Sequence, residues 1–522
     1  MTFILELHWK LALGHNRMLV MGVVALLWTI DCFGALDDAS TRKRAARAAD
    51  ERTTSVLTRI LRRQEANDDV PLEFFLRLTA SATFFVVARP AETPLMSAVE
   101  NEIAGARPTA EIPRGGRIRK IWTAVHRWIG IIAGVYIVIA GVTGSILAFW
   151  QDIDEWLNKD IMRVAAPAPN ATYRPLSEII AAAKAAMPEE ARRADAPIAI
   201  KLPRHPGASI SIPYFLGLPD KATLAEAKRT GDISKISISK LETRELFVDP
   251  YRAVIVGERL ASKGLDPFSM PFIQIVNHLH LGLWIPFVGG LITAFLALFL
   301  LIGVVDGLAL WWPRRGKWIG ALTLKKNAST ERFVFDLHKI FGVYFGAVLI
   351  ISIFSGMYMN FKPPWRALVS LVSTVHEKPK NLHSQPANDR PPLTVEHAFA
   401  IADRVFPDGE LQYVALPMGE DGVFAVGKRI RNEVNETGTH HTVTIDQYSG
   451  EVLHKIDPRE YTLGEKFFEW QYPLHSGEAF GDYGRAFMVL FGAVPVVLYL
   501  TGFIRWRHKR RARRAADRKV AA

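Results

Sequence analysis

The sequence predicts a multi-pass α-helical membrane protein, with a four-helix core made of two inverted-order helix–domain–helix repeats and two small α+β domains outside the lipid bilayer. Hydrophobic residues make up 49% and charged residues 22% of the 522 positions, which is more apolar than soluble chains of this length usually are. Four stretches exceed the about 20 apolar residues that a membrane-spanning helix needs. The segments in the two halves of this region also repeat one another. The four stretches are 122–150, 284–312, 335–361 and 484–506.

A weaker apolar stretch precedes these four. Residues 18–36 are just long enough to cross a membrane, so the segment 1–36 is predicted to hold either an extra N-terminal membrane helix or an uncleaved signal anchor. Residues 37–113 are rich first in Arg and Ala and later in Pro, Glu and Ala. This composition is typical of a linker, and the segment is predicted to lie in the cytoplasm.

Basic residues mark the cytoplasmic side of the membrane. The chain has 64 Lys and Arg against 52 Asp and Glu, a formal net charge of +12. The excess is concentrated before the first long span, in the loop between the second and third spans, and after the last span. By the positive-inside rule these three places, including the C-terminus, are cytoplasmic. The charge therefore reports topology, and no nucleic-acid partner is predicted.

This topology predicts an order of units along the chain. The long segments that follow the first and third spans lie on the outer side. Each begins with a helical run, continues into short alternating strands and ends in a hairpin-like stretch, which predicts a small α+β domain. After the linker the predicted units are helix 114–150, outer domain 151–277, helix 278–312, loop 313–334, helix 335–362, outer domain 363–473, helix 474–506 and basic tail 507–522.

The two halves align as expected of an internal duplication. Their first helices share a histidine, glycines four and eight residues after it, and a hydroxyl residue followed by glycine. Their second helices share a Leu-His-x-Gly motif and matching glycine and tryptophan positions. The aligned pairs are His126 with His338, Gly130 with Gly342, Gly134 with Gly346, Thr143-Gly144 with Ser355-Gly356, His280 with His475, Gly289 with Gly484, Gly307 with Gly502 and Trp311 with Trp506.

Four aligned histidines form the candidate site. Ionisable side chains in or near membrane helices are costly and usually functional. His126 and His338 are predicted near the cytoplasmic ends of their helices, and His280 and His475 near the outer ends. Two pairs at two depths are what two stacked haem b groups with bis-histidine ligation need. The single cysteine of the chain excludes covalent c-type attachment through C-x-x-C-H.

Glycines beside the inner histidines are a second indication. They follow each inner histidine by four and eight residues, which places them on the same helix face. This spacing predicts a flat slot in which a planar macrocycle could lie against the helix. A Gly-x3-Gly pattern is also typical of a helix packing seam, and a histidine near a helix end can be an interfacial residue, so both readings stay open. The glycines are Gly130, Gly134, Gly342 and Gly346.

Other polar residues carry weaker predictions. His278 lies two residues from His280 and is kept as a substitute ligand or an outer-site residue. Asp306, inside the second span, either relays protons or belongs to a packing contact. Adjacent histidines can bind metal, but on a strand they face opposite sides, so surface positions are expected for the histidines of the second outer segment. These are His376, His383, His397, His440, His441 and His454.

The His126-Arg-Trp-Ile-Gly130 and Leu279-His280-Leu-Gly282 segments, with their repeats and the paired outer domains, resemble the PepSY-associated transmembrane family over about 114–508. This family includes iron-regulated bacterial inner-membrane proteins and ferric-siderophore reductases. The resemblance implies an inner-membrane location, PepSY-like periplasmic domains, two haem b groups on the four aligned histidines, and electron transfer to ferric siderophore in the periplasm. The first ~110 residues depart from the family's usual pattern.

The reaction that the resemblance implies is reduction of an Fe(III) chelate, with a quinol or a cytoplasmic reductase as a separate electron donor. The sequence has no Rossmann or Walker motif, so neither an intrinsic nicotinamide site nor an ATP-driven pump is predicted. Two alternatives remain. A siderophore or iron permease without redox activity predicts broken helices around a polar cavity at mid-membrane. A membrane-anchored PepSY peptidase regulator would use the outer domains and leave the histidines incidental.

Overall fold

The computed structural model describes residues 114–165, 171–193, 199–218, 240–377, 379, 382–431, 433–435, 438 and 441–521. Two predicted units, the N-terminal membrane helix within 1–36 and the linker 37–113, lie outside the described residues, as does His440. Residues 118–522 belong to one compact unit, which contains an apolar helical part and a β-sheet.

In both halves of the described chain, helices precede four strands and further helices follow them. The first half contains α1 (Arg114–Ile132), α2 (Gly134–Leu147), α3 (Trp150–Leu157), α4 (Lys159–Met162), α5 (Leu176–Ala186), α6 (Glu189–Arg193), β1 (Ala199–Lys201), β2 (Ile210–Leu216), β3 (Glu242–Asp249), β4 (Val254–Lys263), α7 (Phe272–Gly282), α8 (Gly289–Trp311) and α9 (Trp318–Leu322). The second half contains α10 (Thr330–Tyr344), α11 (Gly346–Asn360), α12 (Lys362–Val369), α13 (Val395–Val405), β5 (Glu410–Ala415), β6 (Val423–Arg429), β7 (His441–Asp446), β8 (Val452–Ile456), α14 (Leu463–Glu469), α15 (Gln471–Ser476), α16 (Gly481–Phe491) and α17 (Ala493–Ala521).

Apolar helices occupy the positions of the four predicted spans. The helix α8 and the helical stretch Glu478–Val520, which contains α16 and most of α17, are long and apolar enough to cross a membrane. The other two spans are bent, since α1 meets α2 at 50° and α10 meets α11 at 63°. If each bent pair is one span, the described part of the chain has up to four crossings, by length and composition.

Each bend falls at the glycine eight residues after the inner histidine of that half. Gly134 begins α2, and Gly346 begins α11. A Cβ atom on Gly134 would lie 2.6 Å from Tyr499 Cδ2, and one on Gly346 would lie 3.2 Å from Leu308 Cδ2. A side chain at either position would press against the neighbouring helix. These two glycines therefore allow close helix packing at the bends.

The two outer segments form one antiparallel sheet of eight strands, in the order β4-β3-β2-β1-β5-β6-β7-β8. The seam between the segments is the β1–β5 pair, in which Ala199 lies opposite Ala415 and Lys201 lies opposite Tyr413. The sequence predicted two separate small domains, and the structure joins them through main-chain hydrogen bonds at this seam. Strands from both halves therefore share a single sheet.

One face of the sheet is covered by two helices, one from each half. Ile179 and Ala183 on α5 and Ala398 and Ala402 on α13 are buried against alternate residues of the strands. Each helix presents these residues at a spacing of four, which places them on one face. The core of the outer part therefore runs continuously under both helices.

A buried ion network attaches α3 to the sheet. Arg259 on β4 donates to both carboxylate oxygens of Asp154 on α3, at 2.9 and 3.0 Å, and lies 2.8 Å from Glu245 on β3. Burial alone would raise the pKa of Glu245, but the positive charges of Arg259 and Lys201 outweigh that effect and hold the pKa below its ordinary value of 4.5. Because α3 follows directly after α2, the network fastens the sheet to the helical part.

We expect Glu245 to make the sheet sensitive to acid. A carboxylate whose pKa is lowered by folding contributes stability that is complete above its unfolded-state pKa of 4.5 and is lost as the pH falls through the lower folded pKa. Glu245→Gln should therefore lower the free energy of unfolding by about 2 kcal/mol near neutral pH. Its effect should shrink below pH 4.5. Chemical unfolding at a series of pH values measures both.

The control for this prediction is Glu178→Gln. Glu178 lies at the surface, where it pairs with the exposed side chain of Arg174. Exposed pairs contribute about 0–1 kcal/mol, so this variant should follow the wild-type pH profile. If the free energy of unfolding of Glu245→Gln parallels that of the wild type at every pH, Glu245 is not the source of the acid sensitivity.

Candidate functional site

The structure brings the four aligned histidines together as two pairs. His126 on α1 and His338 on α10 have ring centroids 6.1 Å apart and ring planes at 84°. His280 on α7 and His475 on α15 have ring centroids 5.9 Å apart and ring planes at 68°. All four residues are half-buried. Each pair takes one histidine from each half of the chain. We call His126 and His338 the inner pair, and His280 and His475 the outer pair.

Main-chain carbonyl groups orient three of the rings through Nδ1. The acceptors are the carbonyl oxygens of Gly303 for His126 (2.9 Å), Leu498 for His338 (3.0 Å) and Ser352 for His475 (2.9 Å). Because a carbonyl oxygen can only accept, each of these rings carries its proton on Nδ1. The lone pair of Nε2, on the far side of the ring, is then available to a ligand.

Hydroxyl groups contact Nδ1 of three rings. The contacts are Thr143 Oγ1 with His280 (2.9 Å), Ser355 Oγ with His475 (3.0 Å) and Thr501 Oγ1 with His338 (2.9 Å). Each hydroxyl also donates its proton to a carbonyl one turn earlier in its own helix. Toward the imidazole it can therefore only accept, so His280 also carries its proton on Nδ1. All four histidines are thus in the same tautomer.

A glycine lies against the edge of each imidazole. A Cβ atom at any of these positions would lie between 2.8 and 3.3 Å from the Cε1 atom of the neighbouring histidine, which is tight for side-chain packing. In the sequence these glycines marked only the repeat, and their recurrence at aligned positions was the one signal of a role in the site. They are Gly307 beside His126, Gly502 beside His338, Gly144 beside His280 and Gly356 beside His475.

The four predicted slot glycines are of two kinds. Nothing lies within 4 Å of a Cβ atom on Gly130, and only Leu498 Cδ2, at 3.8 Å, lies near one on Gly342. Gly134 and Gly346 instead contact side chains at the helix bends. Space is therefore open one turn beyond each inner histidine and filled two turns beyond it. A role of these glycines in lining a cofactor slot stays a prediction.

The outer histidines lie on short helices that precede the spans. The sequence predicted His280 and His475 near the outer ends of the second and fourth spans themselves. In the structure α7 and α15 are separate from α8 and α16, and the chain reverses between them. Leu283, at φ 54°, and Gly477, at φ 88°, end the short helices in the left-handed conformation. These turns hold the outer pair beside the spans. In the chain, each short helix lies between the last strand of its half and the span that follows.

The donor set of each pair fits a haem. Zinc and similar ions use three or four protein ligands, and no group of three or more His, Cys, Asp or Glu able to hold a metal ion occurs in the part of the chain that the structure describes. A haem iron needs two axial ligands, because the macrocycle supplies four nitrogens. Two metal–nitrogen bonds of about 2.0–2.1 Å on opposite sides of an iron place the imidazole centres roughly 6 Å apart. The observed ring separations, 6.1 and 5.9 Å, match this spacing.

Two other predicted residues lie near the pairs in the chain. Asp306 is 4% exposed, and its Oδ2 atom has no hydrogen-bond partner. It stands at the position aligned with Thr501, so the first half has a carboxyl group where the second half has a hydroxyl. His278 is exposed, and its Nδ1 lies 2.9 Å from the carbonyl oxygen of Gln274 in its own helix.

One histidine of the second outer segment is buried, and the surface position expected for it is wrong. His441 begins β7, is 1% exposed and packs edge-on against Phe406. Its Nε2 lies 2.7 Å from Glu433 Oε2, and its Nδ1 lies 3.5 Å from Asp457 Oδ1. Strand alternation points this side chain into the core, where two carboxylates compensate its polarity.

Comparison with known protein families finds a match that covers most of the chain. The family model described as PepSY-associated TM region matches residues 123–509, about three quarters of the chain. The matched segment includes all four paired histidines and both outer segments. No curated protein matches the chain at a significant level.

Proposed function

Because the chain belongs to the PepSY-associated transmembrane family, we propose that it is a di-haem b electron-transfer protein of the bacterial inner membrane that reduces ferric siderophores on the periplasmic side. The observation that carries the proposal is the two histidine pairs with ring separations near 6 Å. Ligation through side chains alone corresponds to haem b, since one cysteine cannot supply a C-x-x-C-H attachment site.

Recurring contacts support the inverted duplication predicted from the sequence. In both halves the first-helix histidine bonds to a carbonyl on the second span, and the histidine before the second span bonds to a hydroxyl on the first. A glycine at an aligned position packs against the ring in every case. Each site would thus be held by two equivalent histidines, one from each copy.

The residues of the chain would hold and orient the haems. The inner pair would ligate one haem and the outer pair the other, each through Nε2. When bound, the haems supply one-electron carriers at two depths of the membrane. The hydrogen bonds at Nδ1 fix the rotation of each ring and make Nε2 a stronger donor. The glycines beside the rings let the imidazoles lie close to the helices.

The direction of electron flow follows from the topology. The positive-inside rule predicts that the loop 313–334 and the basic tail lie in the cytoplasm, and the sheet would then face the periplasm. The outer pair lies on α7 and α15, which follow the last strand of each half. Electrons from a quinol or a cytoplasmic reductase would therefore enter at the inner pair and leave at the outer pair. The Fe(II) product dissociates readily, because hard oxygen ligands hold it weakly.

A siderophore permease is the second candidate, because it predicts broken helices and two spans are bent. A transport pathway also needs a polar cavity at the break. The ring of Tyr499 packs at the bend at Gly134, and the side chain of Leu308 packs at the bend at Gly346. Ala133, next to the first bend, is buried in the apolar core of the helices. This packing favours the redox function.

The experiment that tests the proposal combines haem quantification with reoxidation kinetics. Protein purified from haem-replete cells should contain about two haem b per chain, one for each histidine pair. After reduction with dithionite, its spectrum should return to the oxidised form when a ferric siderophore is added. The gallium(III) siderophore is the matched control, because Ga(III) has the same charge but is not reduced.

Two results would contradict the proposal. One is the lack of a Soret band in protein from haem-replete cells. The other is a reduced protein that the ferric and gallium siderophores leave equally unchanged. Uptake of both siderophores into vesicles without any change in absorbance would support the permease instead.

Gly307→Ala is expected to weaken the inner site while the chain stays folded. The added methyl group would lie 2.8 Å from His126 Cε1, so the ring must rotate away from its bond to the Gly303 carbonyl. Loss of such a partner lowers the affinity of a metal ligand by about 10–100-fold. Haem content and haem titration measure the effect.

The control is Gly320→Ala on α9. Nothing lies within 4 Å of a Cβ atom there, so haem binding should be unchanged. Equal haem affinity in the Gly307→Ala and Gly320→Ala variants would show that the close glycine has no part in positioning His126.

A further inference from the structure

A positively charged side chain beside the inner pair lacks a carboxylate partner. Arg505 on α17 stacks its guanidinium 3.9 Å from the centre of the Phe335 ring. Arg505 follows by three residues Gly502, which packs against the His338 ring, and Phe335 precedes His338 by three residues, so the guanidinium lies about one helical turn from the inner pair. Among the described residues, no carboxylate lies within ion-pair distance of it. The charge thus faces the inner pair without an anion.

Arg332, which repels Arg505, is itself paired with Asp336, but two other cations of this region have no such partner among the described residues. The Nε atom of Arg127, the residue after His126, is buried and has no hydrogen-bond partner. Lys509, one turn beyond Arg505 on α17, is exposed, and its charge is repelled by both Arg505 and Arg127. We call Arg127, Arg505 and Lys509 the inner basic cluster. It combines a buried unsatisfied donor with three like charges.

Other buried cations of the described chain are paired, which sets this cluster apart. Arg259 pairs with Asp154 and Glu245. Lys339 pairs with Asp336, and Lys428 pairs with Asp403. The charges of Arg127 and Arg505, both half-buried, repel each other with less screening than in water, and an unpaired buried donor costs free energy. The inner basic cluster therefore favours the binding of an anion from outside the described residues.

The position of the cluster selects the anion. The Arg127 Nε atom is covered by protein, so it does not face lipid headgroups, and Arg505 stacks on Phe335 about one helical turn from His338. A haem between His126 and His338 carries two propionate carboxylates on one edge. Guanidinium groups bind carboxylates with paired, charge-assisted hydrogen bonds. Both the charge and the hydrogen-bonding geometry of the cluster therefore suit that edge.

We propose that the inner basic cluster binds the propionate carboxylates of the haem held by His126 and His338. The inner haem then lies with its propionate edge toward the basic tail. The inference rests on the proposed function, because it requires a haem at the inner pair. It adds the residues that recognise the macrocycle's acidic edge and the orientation in which the macrocycle is held.

The test is a thermodynamic cycle between Arg505 and the propionates. In a His475→Ala background, where the inner pair remains complete, the affinity for haem is compared with that for haem dimethyl ester. Arg505→Gln should weaken haem binding at least about tenfold, because charge-assisted hydrogen bonds are lost. The same substitution should leave ester binding unchanged. Arg511→Gln, at an exposed position of the same helix, is the control that removes an equal charge.

A second measurement uses the protein with its co-purified haems. Arg505→Gln should shift the propionate bending modes in the resonance Raman spectrum, and Arg505→Lys should shift them less, because lysine keeps the charge without the bidentate geometry. Unshifted modes in both variants overturn the proposal. This readout does not depend on refolding the haem-free chain.

Other outcomes separate this inference from the proposed function. If the wild type binds no haem, the proposed function fails and the cluster has no propionate to bind. If the wild type binds two haems but Arg505→Gln weakens haem and ester equally, or neither, the inference alone is overturned. An effect that appears only in bilayers containing anionic phospholipid, and equally for both ligands, assigns the cluster to lipid phosphate and also overturns it.

Discussion

Replacement of His475 by alanine is expected to empty the outer site, so that the haem content falls from two per chain to one and ferric siderophore no longer reoxidises the reduced protein. His475 is one of only two imidazoles at this site, and its partner His280 is 5.9 Å away. Removal of an axial ligand should lower haem affinity by more than the about 10–100-fold that follows loss of an outer-shell partner. Pyridine haemochrome analysis and stopped-flow absorbance measure the two effects.

The matched control is His278→Ala. His278 lies on the same short helix as His280 but is exposed and bonds to Gln274 of its own helix. Its removal should leave both the haem content and the reoxidation rate at the wild-type level. Equal spectra for the His475→Ala and His278→Ala proteins would exclude the outer pair as a haem site.

Loss of an inner histidine is expected to have the opposite effect: reoxidation by siderophore should remain, and reduction by the electron donor should be lost. A His338→Ala protein that is reduced chemically should still be reoxidised by ferric siderophore, because the outer pair is intact. Reduction by the membrane's own donors should be lost, because the inner pair, which is the proposed entry site for their electrons, is incomplete. A variant that loses siderophore reoxidation but keeps donor-driven reduction would reverse the proposed order of the two sites.

Arg259→Met is expected to lower the free energy of unfolding by about 3–5 kcal/mol, since it leaves the buried Asp154 without a cation and Glu245 with only Lys201, 3.5 Å away. Asp154 and Glu245 both bind this guanidinium, and their side chains are 9% and 10% exposed. Methionine conserves much of the side-chain volume, so most of the loss should come from charge rather than from packing. Urea unfolding followed by circular dichroism gives the magnitude.

Two further variants separate the causes of this loss. Arg252→Met removes a side chain that is 71% exposed and lies 4.0 Å from Asp249, so it should cost less than about 1 kcal/mol. Combining Arg259→Met with Asp154→Leu and Glu245→Leu should recover much of the stability, because a buried ion network can be replaced by apolar residues. Failure of the triple variant to exceed Arg259→Met would indicate that packing dominates.

The helical part could be predicted from sequence where composition determines structure. Apart from Asp306, the 23 residues of α8 carry no ionisable side chain, and apolar residues lie on every side of the helix; such a segment is stable only among other helices or in lipid. The pairing of His126 with His338 could be inferred because duplication places them at equivalent positions. Their hydrogen-bond partners could not, since Leu498 and Gly303 contribute only main-chain carbonyls, which leave no mark on side-chain identity.

The short helices before the spans could not be told apart from the spans by composition. The residues of α7 and α8 form one nearly continuous apolar run, in which the reversal after Leu283 depends on a left-handed residue rather than on a glycine. The seam between β1 and β5 was equally invisible, because strand edges pair through backbone groups that every residue carries. The burial of His441 could not be predicted either, because its partner Glu433 lies in the loop between β6 and β7, where the sequence gives no sign that the two side chains meet.

The seam between β1 and β5 also limits how the protein can move. Transporters built from inverted repeats commonly work by rocking one repeat against the other around a central site. Here a ladder of main-chain hydrogen bonds crosses from one half to the other at Ala199 to Lys201, and rocking would have to stretch or break it. Such a clamp suits a stationary conductor, in which donor and acceptor stay at a constant separation and only charge crosses the membrane.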